Sequence, residues 1–283
     1  MPDNIDIDDY LTSSQNVGPY TRSNVLDIAE CSDHLTVWLD RYIGLPNDNE
    51  ALKTKFQTNI QPLNTLTGEE AEVDETPRTL IDEKTLEKLK YDVYCLKPYS
   101  DISKCLEFIR SQHNKKIFFI SSGTIGKEIV PQIAKLPQIH GIYIFCANIA
   151  FHAEWAMEYV DRISAMLEHH DDLLQRLTKD IADYLEEKGD DHLAHKDNNI
   201  AKSCYAWATK LTFRTRDLVN TYVESKAKVE GNTNVEGNAN VGGNANVGGN
   251  ANVGGNANIR KTLARLKEKF DEGERSQTSQ TTD

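Results

Sequence analysis

The chain of 283 residues carries 44 Asp and Glu against 32 Lys and Arg, a formal net charge of −12, and 39% hydrophobic residues. That charge excludes nucleic acid as a partner, because phosphate backbones are bound by clustered Lys and Arg. Membrane spans are excluded as well, since no apolar run approaches the ~20 residues that cross a bilayer.

Residues 1–33 are polar and acidic (Asp3, Asp6, Asp8, Asp9) without sustained periodicity, and read as a disordered arm. The start is acidic where a signal peptide would be basic and then apolar. The five cysteines, Cys31, Cys95, Cys105, Cys146 and Cys204, are scattered and mostly within apolar segments. Cysteines so placed pack as small hydrophobes in a reducing compartment, and the expected location is the cytoplasm.

Leu35-Thr-Val-Trp-Leu39 predicts the first strand, ending at Asp40. A turn through Gly44-Leu-Pro46 leads to a helix from Asn47, with Leu52, Phe56 and Ile60 at helical spacing. The stretch 61–90, rich in Thr, Glu and Asp, reads as an insertion with one short helix near Glu83–Lys90.

A regular alternation follows. Asp92–Leu96 predicts a strand, and Asp101–Gln112 a helix with Ile102, Cys105, Leu106 and Ile109 on one face. Ile117-Phe-Phe-Ile120 is the continuous apolar run of a central parallel strand. A helix carrying Ile125, Ile129 and Ile133 comes next, with Pro131 expected to kink it. Strands at Ile142–Phe145 and Ile163–Leu167 flank a helix around Phe151–Tyr159, and a helix over Asp171–Glu187 closes the series. Strands alternating with helices predict an α/β domain over 34–188, a doubly wound, flavodoxin-like sheet of five parallel strands in the order 2-1-3-4-5.

Downstream, 189–225 has the spacing of one tetratricopeptide-like helical hairpin, with Gly189, Ala201, Tyr205 and Ala208 at its small and aromatic positions. A single repeat cannot bury its own apolar face, so it must dock on the α/β domain or on a partner. Residues 226–259 hold five Gly/Asn hexads, EGNTNV to GGNANI. An aliphatic residue every six positions is the spacing of a left-handed β-helix, but five near-identical units argue for a flexible linker. A basic helix and a Ser/Thr/Gln tail fill 260–283.

Chemistry has its best place where the strand order reverses, between the ends of the first and third strands. Asp40, Ser121, Ser122, Gly123, Thr124, Gly126, Lys127 and Asn148 are the candidate ligand-binding residues. Ser121-Ser-Gly-Thr-Ile-Gly-Lys-Glu128 resembles a phosphate-cradling loop at Gly126 and Lys127. Ser121 stands in place of its first Gly, and Glu128 in place of its magnesium-binding hydroxyl. Free N–H groups at this helix start could still hold a small anion. Phosphorelay receivers share the strand order, but the acceptor Asp and the Lys they require are missing. Toll/interleukin-receptor-like domains share it too, and some cleave NAD with a Glu on the helix after the third strand, a place comparable to that of Glu128.

His152-Ala-Glu154 copies half of a zinc-deaminase signature, but the Pro-Cys-x-x-Cys half is absent. His169, His170, His192 and His195 read as a polar helix junction. No metal, cofactor or catalytic residue is assigned.

Val37-Trp-Leu-Asp40, Ile117-Phe-Phe-Ile-Ser-Ser-Gly123, Ile129-Val-Pro131, Leu136–Cys146 and His152-x-x-Trp155 together resemble an α/β domain that heads multidomain proteins of small invertebrates, often upstream of ADP-ribosyltransferase or tetratricopeptide modules. The resemblance covers about half of the chain and implies a regulatory or recruitment role, with no transferase module in this sequence. The expected function is therefore a non-enzymatic interaction module that binds a protein partner or a small ligand. The alternative is an enzyme acting on NAD or a nucleotide at Ser121–Glu128.

Overall fold

The runs that predict strands lie side by side and run the same way. The computed structural model describes residues 33–45, 47–61, 66–72 and 96–232, with side chains as far as residue 221 except at 71 and 72. Its strands are β1 (His34–Leu39), β2 (Leu96–Tyr99), β3 (Lys116–Ser122), β4 (Ile139–Phe145) and β5 (Ile163–Leu167). All pair in parallel, in the order β2-β1-β3-β4-β5, as the alternation predicts. The helices are α1 (Glu50–Ile60), α2 (Ile102–Ser111), α3 (Gly123–Ile133), α4 (Ile149–Met157), α5 (His170–Ala194) and α6 (Asn198–Asn232).

Side-chain alternation along the strands separates two cores. Trp38, Phe118, Ile120 and Tyr143 face one way, against Phe56 of α1, Leu173, Leu177 and Ile181 of α5, and Tyr205, Trp207 and Leu211 of α6. Val37, Leu39, Ile117, Phe119, Ile142 and Ile144 face the other way, against Cys105 and Ile109 of α2, Ile129 and Ile133 of α3, and Trp155 of α4. β1 is buried along its whole length and β3 through its middle, which is why both read as near-continuous apolar runs.

Four elements depart from the sequence reading. The described second strand starts at Leu96, where the predicted one ends, and residues 92–95 lie outside the described residues. It includes Pro98, which an edge strand paired only with β1 tolerates because one flank needs no donor. α5 runs unbroken across the 188/189 boundary, so the predicted hairpin shares its first helix with the α/β unit. α6 continues past residue 225 as far as Asn232, inside the first hexad. α3 passes through Pro131 and ends at Ile133. Residues 1–32, the predicted helix at 83–90, most of the hexads and the segment 260–283 lie outside the described residues.

The hairpin docks on the sheet's own helices. Lys196, with φ 67°, reverses the chain between α5 and α6. A Cβ at Gly189 would sit 2.5 Å from Cε1 of Tyr205, so the two helices meet where only Gly leaves room. The Tyr205 hydroxyl donates to Asp190 Oδ1 at 2.7 Å.

The acidic stretch after α1 is anchored by a buried ion pair. Arg214 of α6 is 1% exposed and Glu70, in a short 3₁₀ turn (Glu69–Glu72), is 0% exposed. The guanidinium donates from Nε to Glu70 Oε1 at 3.0 Å and from Nη2 to Oε2 at 3.1 Å. Its Nη1 donates to the carbonyls of Asn59, at 2.8 Å, and of Gln61, which end α1. Leu66 N–H adds a third donor to the same carboxylate at 2.9 Å. Where the composition of 61–90 predicts a plain insertion, residues 66–70 are thus tied to the body of the fold.

Candidate functional site

A reversal of strand order sends the connections from β1 and β3 in opposite directions, and the carboxyl ends of these strands form the place where such folds hold ligands. Asp40 follows β1 directly. Its Oδ1 accepts from the N–H groups of Tyr42 at 2.8 Å and Ile43 at 3.2 Å, the Asx geometry by which Asp stabilises a turn. The same turn brings Gly44 against the neighbouring loop so closely that a Cβ there would lie 2.0 Å from the backbone nitrogen of Ser100. The Asp40 carboxylate is thereby committed to shaping its own loop.

Where the sequence suggests a phosphate-cradling loop, there is none. Ser122 is the last residue of β3 and Gly123 the first of α3, so Gly123 to Glu128 form the opening turns of a helix. Ser121 is fully buried, and its hydroxyl donates to the carbonyl of Ser122 at 3.1 Å. Ser122 occupies the cap position without a side-chain cap bond. Thr124, Lys127 and Glu128 are exposed on the helix surface.

The two glycines serve close packing. A Cβ at Gly126 would stand 3.0 Å from Ile144 Cδ1 and 3.2 Å from Trp155 Cη2, so this position lets α3 approach β4 and α4. A Cβ at Gly123 would stand 2.3 Å from Cδ2 and Nε2 of His152. Sequence reasoning places His152 in a failed zinc signature and in the family resemblance, whereas the fold lays its ring across the start of α3. Trp155 Nε1 donates to His152 Nδ1 at 3.3 Å, which puts the proton of a neutral imidazole on Nε2, the nitrogen facing Gly123. The signal lay in His152-x-x-Trp155, since residues three apart share a helix face.

Asn148 caps α4, its Oδ1 accepting from Phe151 N–H at 3.3 Å, and Glu168 Oε1 takes the adjacent N–H of Ile149 at 3.1 Å. Burial pushes the thiol of Cys146, at the end of β4, above its usual range. A thiol held protonated is a poor nucleophile. The fold therefore brings Gly123, Gly126, His152 and Trp155 together, while Asp40 and Asn148 each serve their own loop. Chemically, the side chains of Asp40, Ser121, Asn148 and Glu168 satisfy main-chain donors and acceptors.

Among the described residues, no three His, Cys, Asp or Glu side chains group to hold a metal ion. His169 and His170 begin α5, and His192 and His195 end it, roughly 33 Å away at 1.5 Å per residue. No helix among the described residues is long and apolar enough to cross a membrane. No protein-family model, no curated protein and no solved structure matches the chain.

Proposed function

We propose that the α/β unit and its helical hairpin form a non-catalytic, intracellular interaction module. The observation that carries this reading is the commitment of Asp40, Ser121 and Asn148 to backbone. Asp40 and Asn148 cap, Ser121 bonds its neighbour's carbonyl, and Gly126 packs on Trp155. An acyl-transfer site would instead hold a nucleophile within hydrogen-bond reach of a base. Large apolar side chains stand exposed on α4 and the turn after it, Phe151 at 79%, Met157 at 67% and Val160 at 59%. Such residues supply the anchors of protein–protein contacts, and a protein partner agrees with the recruitment role implied by the family resemblance.

Turnover is the test. The full chain is incubated with NAD, ATP and GTP, and products are separated by chromatography. The expected result is no product above the buffer control. Cleavage of NAD that disappears in Glu128→Gln, or nucleotide hydrolysis that disappears in Lys127→Ala, overturns the reading. Both side chains are exposed, so neither substitution disturbs the core.

A further inference from the structure

At the opposite end of the sheet, where β3, β4 and β5 begin, lies a cleft of about 550 Å³. Its walls carry Lys116, the first residue of β3, Lys135 from the α3–β4 connection, His140 from β4, and Arg162, which precedes β5. Leu136 and Pro137 supply apolar surface, and among the described residues no Asp or Glu lines it. In a chain of net charge −12, this concentration of cations runs against the background.

The cations are held in place by main chain. Lys116 Nζ donates to the carbonyl of Pro137 at 3.1 Å. Arg162 donates from Nε to the carbonyl of Ala134 at 2.6 Å and from Nη2 to that of Ile139 at 3.2 Å. These bonds fix the positions of both charges and neutralise neither. They occupy two of the five guanidinium N–H groups and one of the three ammonium protons. Lys135 is exposed. The His140 ring packs between Phe118 and Tyr184, at ring-centroid distances of 4.8 and 4.9 Å. Burial, with Lys116 and Arg162 adding to it, lowers the pKa of His140, while Glu187 and Asp180 of α5 act in the opposite sense.

The geometry points to this cleft as a binding site for a small phosphate-bearing anion, recognised by Arg162, Lys116 and Lys135 acting together. Its volume is that of a small-ligand cleft, and it is open to solvent. Anchored guanidinium and ammonium groups with free donors match phosphate oxygens. The chain's overall negative charge repels an extended polyanion such as nucleic acid and leaves room for a compact one. The site lies apart from the switch-point crevice and does not rest on how that crevice is read.

The probe is inorganic tripolyphosphate, titrated calorimetrically into the full chain at about 50 mM salt, where screening is modest. Wild type is expected to bind with a fitted stoichiometry of one. Lys135→Gln, at an exposed position, and Lys116→Gln should each weaken binding about tenfold, the loss of one charge-assisted contact. Lys104→Glu, exposed near the start of α2 at the other end of the sheet, should leave it unchanged, and circular dichroism checks that every variant is folded. Absence of wild-type binding, or equal weakening by Lys104→Glu, overturns the site. Citrate binding more tightly than tripolyphosphate overturns the phosphate assignment.

Discussion

Replacing Glu70 by Gln tests whether the acidic segment after α1 is part of the fold. The substitution keeps size and shape but removes the charge facing Arg214, which is 1% exposed. Glu70 accepts two guanidinium N–H groups, at 3.0 and 3.1 Å, and the N–H of Leu66 at 2.9 Å. A Gln can replace only one of the two acceptor oxygens and turns an amide donor toward donors. Breaking one side of a buried pair costs about 3–5 kcal/mol, because the remaining charge is left without compensation. A loss of ~4 kcal/mol lowers Tm by roughly 8–16 °C in a domain of this size. Urea unfolding of the full chain, followed by circular dichroism, gives the value for Glu70→Gln, Arg214→Gln and the double variant. The double should cost at least ~2 kcal/mol less than the sum of the singles, since the second substitution removes a charge already stranded. A Glu70→Gln cost under about 1 kcal/mol, or strict additivity, refutes the reasoning.

Three further outcomes are expected. Gly189→Ala should destabilise the α5–α6 hairpin by about 1–3 kcal/mol, because its methyl would lie 2.5 Å from Tyr205 Cε1; urea unfolding alongside Ser203→Ala as a partly exposed control reads this. Cys105 should resist alkylation in the native chain at pH 8, since burial and Asp101 push its thiol up to about 12; peptide mass spectrometry with and without denaturant measures the protection. Stability should fall with alkalinity. The unfolded chain ionises Cys105 above about pH 9, whereas the folded chain holds the proton to about pH 12. Over that window the native state binds more protons, and each unit of pH removes up to ~1.4 kcal/mol for this group. Tyr143, raised in the same direction by burial and by Asp180, adds to the slope. Thermal melts from pH 8 to 11 test the sign.

The parallel sheet was legible because buried strands advertise themselves. Ile117-Phe-Phe-Ile120 and Leu35–Leu39 have no polar face to mislead a reader. The reach of the edge strand past Leu96 was not, since Leu96-Lys-Pro-Tyr99 is half exposed and contains a proline, which argues against a strand unless the edge is known. The boundary at residue 188 failed for a related reason. Gly189 and the acidic pair after it look like the end of a helix, yet Gly189 is there to admit Tyr205. Glu70 was hidden altogether, because an acid in an acidic stretch reads as solvated until its partner, 144 residues away, is placed beside it.

At the candidate site the residue types were legible and their local hydrogen-bond partners were not. Ser121, Gly126 and Lys127 match part of a phosphate loop by spacing. The spacing cannot tell that α3 begins immediately after β3, or that Gly126 faces Trp155. Asp40 and Asn148 stand at the ends of strands in both reactive and capping sites, and only the direction of their oxygens separates the two. The basic cleft was invisible for a different reason. Lys116, Lys135, His140 and Arg162 are spread over three strand starts and converge only in the folded sheet.

The most direct measurement is an amide NMR titration of the isotopically labelled full chain with ATP, which carries the phosphates that both ends of the sheet could attract. A switch-point crevice committed to backbone, with a phosphate site at the other end, predicts shifts for the amides of Lys116, Lys135, His140 and Arg162. Those of Ser122, Gly123, Thr124 and Lys127 stay in place. Shifts at Ser122 to Lys127 with the opposite end unmoved would contradict it.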